Sequence, residues 1–383
     1  MTIPFANIPS NLRTPLFFAE LNNSLANSAT QVQRTLIIGQ KTSSGTATAN
    51  VPVLSQGVSD AATQGGAGSM LHLLTQEYRR NDAFGEVWYL PLSDDGSAIA
   101  ASGSIKFTHA ATASGTLNVY IAGVRVTLAV TSSLTLANLA TNLAAAINAT
   151  AGLPVSAAVD GTDTTKVNIT ALNAGLAGND IDIRLNYLGL AGGEVTPTAL
   201  TTTIVAMSSG ATNPTLTMAL SNCGDMTFDF IVFPYTDSTS LTAISNFLND
   251  TTGRWAWNRQ LYGHAFAAYK DTVGNLTTLG TGLNNQHLTV MGFYNSPTPA
   301  WLVAAQVAGA AAVSLRADPA LPLHTLAIQG MLAPPIASRF VQSDRNTLLF
   351  DGISTFTVGD DGTCYIEGLI TTYQKNAFNN PDN

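Results

Sequence analysis

A rhythm constrains this fold more than any single motif does. Short, nearly all-apolar runs recur along the chain, each separated from the next by a segment of helical periodicity. Thr35-Leu36-Ile37-Ile38-Gly39 reads as a buried strand. A Gly/Ser/Thr stretch leads from it to a helix beginning near Ser69. Leu71, Leu74 and Tyr78 share one face of that helix, and Arg79-Arg80 stand at its C-terminal end, where cations suit the helix dipole. Glu86-Val87-Trp88-Tyr89-Leu90 is the next strand. The rhythm resumes after residue 226. There Phe228-Asp229-Phe230-Ile231-Val232-Phe233 reads as a strand, and 240–250 as a helix with Leu241, Ile244 and Leu248 inward. Strands follow at 264–269 and 287–293, then a buried, nearly all-apolar helix at 300–315. Strands alternating with helices indicate an α/β layered fold with helices on the sheet faces.

Between these halves the pattern changes. From Gly96 to Met226 the only aromatics are Phe107, Tyr120 and Tyr187. Leu117, Val119 and Ile121 alternate with less apolar residues, Ala122-Gly123 turns the chain, and Val124, Val126 and Leu128 alternate back, which is a hairpin with one buried face. A helical stripe of Leu136, Leu139, Leu143 and Ile147 follows, then strands at 167–169 and 181–185. The expectation is a discontinuous α/β (α+β) core, residues 31–94 and 213–383, interrupted by a small β-rich α+β or sandwich domain at 95–212. Asp94-Asp95-Gly96 and Ser208-Ser209-Gly210 are the expected crossing points.

Residues 1–30 read as an extended arm. Pro4, Pro9 and Pro15 hold the backbone extended, and Leu16-Phe17-Phe18-Ala19-Glu20-Leu21 carries apolar side chains that need burial. The arm can lie along its own domain or add a strand to a neighbour's sheet.

Composition narrows the function. Charged residues make up 10% of the chain, against a usual share of about a quarter, and the formal balance is −8 with no basic run. A phosphate-backbone binder needs clustered positive charge, so nucleic acid is excluded as the main partner. The N-terminus has no basic start followed by an apolar run, and 300–315 is short for a membrane span and carries Gln306, so neither secretion nor membrane insertion is expected. Cys223 and Cys364 are too few for a disulfide framework and read as reduced, buried thiols of a cytoplasmically made protein.

The chain offers little chemistry. Gly65-Gly66-Ala67-Gly68 precedes a helix but lacks the third glycine of a dinucleotide fingerprint and the lysine of a P-loop, so it reads as a flexible lead-in. His72, His109, His264, His287 and His324 stand singly, without metal-ligand spacing. Asp180 and Asp182, if on a strand, share one solvated face. Asp360-Asp361-Gly362 fits a hairpin turn between 356–358 and 364–366. Trp255 and Trp257, in Arg254-Trp255-Ala256-Trp257-Asn258-Arg259, suit a sugar platform, a stacked interface, or packing on the preceding helix. No catalytic residue, cofactor or metal is expected.

Several segments resemble the tail sheath proteins of Mu-like contractile-tailed bacteriophages. They are Gly68-Ser69-Met70-Leu71 leading into Tyr78-Arg79-Arg80-Asn81-Asp82-Ala83-Phe84-Gly85-Glu86-Val87-Trp88; the 172–181 run beginning Leu172-Asn173-Ala174-Gly175; Phe228 through Pro234-Tyr235-Thr236-Asp237; and Arg345-Asn346-Thr347-Leu348-Leu349-Phe350-Asp351-Gly352. The start, Ile3-Pro4-Phe5 through Arg13-Thr14-Pro15, is similar too. The resemblance implies a structural polymer rather than an enzyme. Subunits would stack as hexameric rings, helically, around a tail tube, joined by terminal arms that complete a sheet across subunits. The tube would shorten and widen on a baseplate trigger to drive the inner tube through the host envelope. The implied partners are further copies of the chain, the tail tube protein, and the baseplate and tail terminator proteins. The implied location is the virion, after assembly in the host cytoplasm. Leu16, Phe17, Phe18 and Leu21 are the expected inter-subunit contacts. Members of that family usually continue well beyond 370–374, so a C-terminal portion and its arm are expected to be missing. A glycan-binding surface adhesin is the alternative from another class. An α/β enzyme is a third, and it would require a deep cleft lined by His264, His287 and Asp229.

Overall fold

The structure, a computed structural model, describes residues 32–381. The chain first lays down β1 (Arg34–Gln40), the short β2 (Val53–Leu54), α1 (Val58–Gly65), α2 (Met70–Asn81) and β3 (Glu86–Leu92). It then forms β4 (Ser102–His109), β5 (Gly115–Ile121), β6 (Val124–Val130), α3 (Leu136–Ala149), β7 (Val155–Val159), β8 (Lys166–Ala171), β9 (Ile183–Leu185) and β10 (Thr201–Ser208). The last stretch is α4 (Thr217–Ser221), β11 (Phe230–Val232), α5 (Ser238–Phe247), β12 (His264–Lys270), α6 (Val273–Thr281), β13 (Leu288–Phe293), α7 (Ala300–Ala317), α8 (Gln342–Phe350), β14 (Thr355–Val358) and β15 (Cys364–Gly368).

The central sheet takes strands from both ends of this walk, in the order β13-β12-β11-β1-β3-β2. All its pairings are parallel except the edge pair β2–β3. A parallel sheet is covered on both faces, so its strands read as unbroken apolar runs, and Leu36, Ile37 and Ile38 of β1 have no exposed surface. The five parallel strands run 2-1-3-4-5 in chain order, the doubly wound arrangement. Helices α2 and α7 pack together, and α7 lies across β11, β12 and β13. Leu276 of α6 faces the bare backbone of Gly292 in β13, where a Cβ would crowd it.

Local signals account for the helix ends. The Ser69 hydroxyl caps α2 by accepting the His72 amide at 3.1 Å, and the Asp237 carboxylate caps α5 by accepting the Ser240 amide at 3.0 Å. That cap starts α5 two residues before the expected 240, and the helix ends at Phe247, short of 250. Leu248 is still fully buried, just past the last turn.

Residues 102–208 build two sheets of their own. One is ordered β10-β4-β8-β7 and the other β6-β5-β9. Together with α3 they enclose a separate apolar cluster that includes Phe107, Leu117, Val119, Leu139, Leu143 and Ile169. The expected hairpin is β5–β6, in the register Ile121↔Val124. The expected strand at 181–185 is shorter. Asp180 closes a 3₁₀ turn (Leu176–Asp180), and only Ile183–Leu185 pairs in a sheet. Asp180 and Asp182 therefore do not share a strand face, and Asp182 is instead ion-paired to Arg184.

Candidate functional site

In a doubly wound sheet, ligands bind outside the carboxyl ends of the strands, where the strand order reverses. Here that point lies between β1 and β11. It is filled by the chain itself. Gln40, the last residue of β1 and fully buried, donates through Nε2 to Asp94 Oδ1 and to the Ala174 carbonyl, both at 2.6 Å. Its Oε1 accepts Tyr235 OH at 3.3 Å. Asp94 also takes the Ala174 amide at 2.8 Å and Asn173 Nδ2 at 3.2 Å. Asn173 Oδ1 accepts the Met70 amide at 2.9 Å, so an uncharged side chain stands at the N-terminus of α2 where an anion would otherwise bind.

The same capping continues along the sheet edge. At the end of β12, Lys270 Nζ donates to the Asp180 carbonyl at 2.6 Å. Past the end of β13, Arg184 donates to the Asn295 carbonyl at 3.2 Å and to its side-chain oxygen at 3.1 Å. Tyr187 OH reaches the Ala333 carbonyl at 2.8 Å. The 172–187 stretch thus covers the edge where an α/β enzyme would hold its substrate.

The glycine-rich lead-in is similarly committed. The Gly68 amide donates to His72 Nδ1 at 3.1 Å, and Gly66, at φ 90°, lies so close to Thr42 that a Cβ would sit 2.0 Å from its hydroxyl. No open nest for a phosphate is formed by these glycines.

The residues named for an enzymatic cleft are only partly brought together. Asp229 and His264 line a cavity of about 310 Å³ at the amino ends of β11 and β12, with Trp255, Tyr262, Leu315, Leu323 and Leu369. His287 does not line it. The polar groups are occupied: Asp229 Oδ2 accepts the Arg34 amide at 2.8 Å, and His264 Nε2 is 2.8 Å from the Thr289 hydroxyl. Burial, with the nearby His287 adding to it, lowers the His264 pKa to about 4 and keeps the ring neutral. His287 is stacked on Trp255 at 4.0 Å between ring centroids and bonds Asp250 at 2.8 Å. Among the described residues no group of three or more His, Cys, Asp or Glu is placed to hold a metal.

The tryptophan pair is split. Trp255 is anchored by its Nε1 bond to the Gly263 carbonyl at 2.8 Å, whereas Trp257 is 83% exposed. Their loop is fixed by Arg254, almost wholly buried, which bonds the Gly224 and Met226 carbonyls and lies over the Phe247 ring. Cys223 and Cys364 are both buried free thiols.

What the surface does offer is unpaired backbone and bare apolar side chains. The hairpin β14–β15 turns through Asp360-Asp361-Gly362, with Gly362 at φ 81°. The outer edge of β15 is taken by the 323–328 segment, through Thr325, Ile328 and Ile366 amides. The chain entering β14 is held to β13, the Ser354 amide donating to the Val290 carbonyl and the Ser354 carbonyl accepting the Gly292 amide, both at 2.9 Å; past Ser354 the outer edge of β14 has no further strand partner among the described residues. A groove of about 300 Å³ runs beside it, lined by Phe356, Phe340, Tyr294, Arg339 and Arg345. Phe84, Trp257, Ile336, Phe350 and Phe378 are each more than two-thirds exposed. Leu16, Phe17, Phe18 and Leu21, the expected inter-subunit contacts, lie outside the described residues.

Residues 209–372 match the family described as phage tail sheath protein central domain. Over 384 aligned residues the chain is 35% identical to the Mu-like prophage FluMu tail sheath protein of Haemophilus influenzae, covering 100% of this chain and 77% of that one. Two solved sheath tail proteins are similar at low identity. That of Desulfitobacterium hafniense gives a TM-score of 0.45 at 14% identity, covering 96% of this chain and 76% of that chain. That of Listeria innocua gives 0.42 at 12% identity, covering 88% and 68%.

Proposed function

Because this chain belongs to the phage tail sheath proteins, a structural family of virion components and not of enzymes, we propose that it polymerises helically, as stacked hexameric rings, around a tail tube. In this reading its partners are further copies of itself, the tail tube protein, and the baseplate and tail terminator proteins, and assembly takes place in the host cytoplasm. The core would comprise residues 31–94 and 213–383, and 95–212 would form the inserted domain. An arm at 1–30 would join neighbours by adding a strand across subunits, with Leu16, Phe17, Phe18 and Leu21 in the contact.

The observation that carries the reading is the outer edge of β14, unpaired past Ser354 among the described residues and flanked by a largely apolar groove. An unpaired strand edge is a template for a strand from another chain, and soluble monomers usually blunt such edges. The low charge density agrees with it, since charge is depleted at the centres of interfaces. The capped carboxyl edge of the sheet leaves no substrate crevice there. The adhesin alternative loses its platform, because Trp255 is stacked on His287 instead of lying open beside Trp257.

Contraction then requires the extended lattice to be metastable, each subunit gaining contacts in the shortened state. A few kcal/mol per subunit, summed over a tube, makes the switch one-way. Calorimetry of triggered tails is expected to show heat release, and the absence of any stability difference between extended and contracted forms would sink this part. The assembly itself is tested by electron microscopy. The chain should form hollow striated tubes, and deletion of residues 1–21 should abolish them while leaving a folded monomer. Tubes from the deleted chain would refute the arm assignment.

A further inference from the structure

We propose that the amino edge of the parallel sheet is a face on which one copy of this chain meets another, with Phe84 as its anchor. The proposal rests on the self-assembly reading above and locates a contact within it.

Phe84 is 98% exposed, so its ring gains nothing from the fold of its own subunit. The turn that carries it is nonetheless locked. Arg79 Nη1 donates to the carbonyls of Asp82 and Ala83 at 3.4 Å and of Gly85 at 2.7 Å. The Gly85 amide donates to Asp82 Oδ1 at 3.0 Å. Asp82, 2% exposed, is fixed in turn by Tyr78 OH at 2.6 Å and by Arg316 near the end of α7. A bare aromatic on a rigid turn is a preorganised anchor, because little backbone freedom is lost when it is buried by a partner.

The receiving feature lies on the same edge. Leu315, the neighbour of Arg316 in α7, lines the 310 Å³ cavity described above, together with Trp255, Tyr262, Leu323 and Leu369. Its walls are mostly aromatic and aliphatic, and its polar groups at Asp229 and His264 are satisfied internally. Tyr262 in its lining is about half exposed. A face carrying an apolar knob and an apolar socket left open by the described residues is complementary to another copy of itself, and the two features flank the end of α7.

The test compares the full chain with Phe84→Ala and Leu323→Trp, the second filling the socket from its partly exposed rim. Assembly is followed by sedimentation and electron microscopy, and folding by thermal melting. Phe84→Ala is expected to melt like the unaltered chain yet need about tenfold more protein or greater to assemble. Phe84→Leu should restore much of the loss. Leu323→Trp should block assembly similarly. Assembly of Phe84→Ala at the unaltered chain's threshold overturns the anchor, and normal assembly of Leu323→Trp overturns the socket. If the unaltered chain never assembles, the polymer reading fails first and takes this face with it, a result distinct from either.

Discussion

Asn173 Oδ1 accepts the backbone amide of Met70 at 2.9 Å, across 103 positions of sequence, and so occupies the start of α2 from outside the helix's own segment. The Asn173→Ala variant loses this bond together with those to the Lys41 carbonyl and Asp94. It leaves the Met70 amide and the buried seam underpaired, at a cost of about 1–3 kcal/mol. Scanning calorimetry should show a lower melting temperature, and limited proteolysis should find new cleavage near 94–96 or 208–210. Nucleotide or phosphate should leave the unaltered chain's melting temperature where it is, since bound ligand would raise it.

His264 sets a pH dependence of stability. Its folded pKa is about 4, below the value of about 6.5 expected when unfolded. The unfolded chain therefore binds the extra proton between these values, and stability falls as the pH drops from about 6.5 toward 4, by roughly 3 kcal/mol at the limit. Above that window His264 contributes no slope. Urea midpoints at neutral and mildly acidic pH should separate, and His264→Gln should flatten the difference.

Burial pushes the Cys223 thiol up to about 11 and the Cys364 thiol up to about 12. Both stay protonated near neutral pH and are shielded from reagents. A thiol-reactive dye should label neither cysteine in the native chain within the time that denatured protein gives two equivalents. Rapid native labelling would place one of them at the surface.

Gln306 is the polar break in α7. Its Nε2 donates to Glu77 Oε2 at 2.7 Å, both residues are buried, and its Oε1 has no protein partner. Gln306→Leu removes one of the two partners of the buried Glu77 carboxylate, the Arg80 ion pair at 3.3 Å remaining, and should destabilise the fold by about 1–3 kcal/mol in denaturant titrations. Replacing Glu77 by Leu as well should recover much of that, because removing both partners of a buried polar pair is often near neutral. A double variant worse than the sum of the singles would contradict this account.

The sequence disclosed those elements whose own side chains decide them. Buried parallel strands read as apolar runs at 35–39 and 287–293, the β5–β6 hairpin as strict alternation, and α7 as a helix with no polar face. Elements settled by their neighbours were not legible. In α6, with Gly274, Gly280 and several threonines, intrinsic propensity is weak and burial of Leu276 holds the helix in place. In β10 the Thr-rich edge strand is largely exposed and owes its state to pairing with β4. The seam was hidden for a different reason. Gln40, Asp94 and Asn173 converge only in three dimensions, and no spacing announces them. The resemblance segment beginning Leu172-Asn173-Ala174 was the one pointer to that region. Asp180 and Asp182 misled because the chain makes a 3₁₀ turn between β8 and β9 before pairing resumes.

The ties along the carboxyl edge have a mechanical meaning. A pull on residues 102–208 reaches the core at the ends of β1, β12 and β13 together, through Gln40, Lys270 and Asn295. The attachments share the load side by side, unlike a hairpin peeled open one bond at a time. Residues 102–208 should therefore move with the sheet as one stiff body, passing displacement onward and absorbing little of it in a yielding joint.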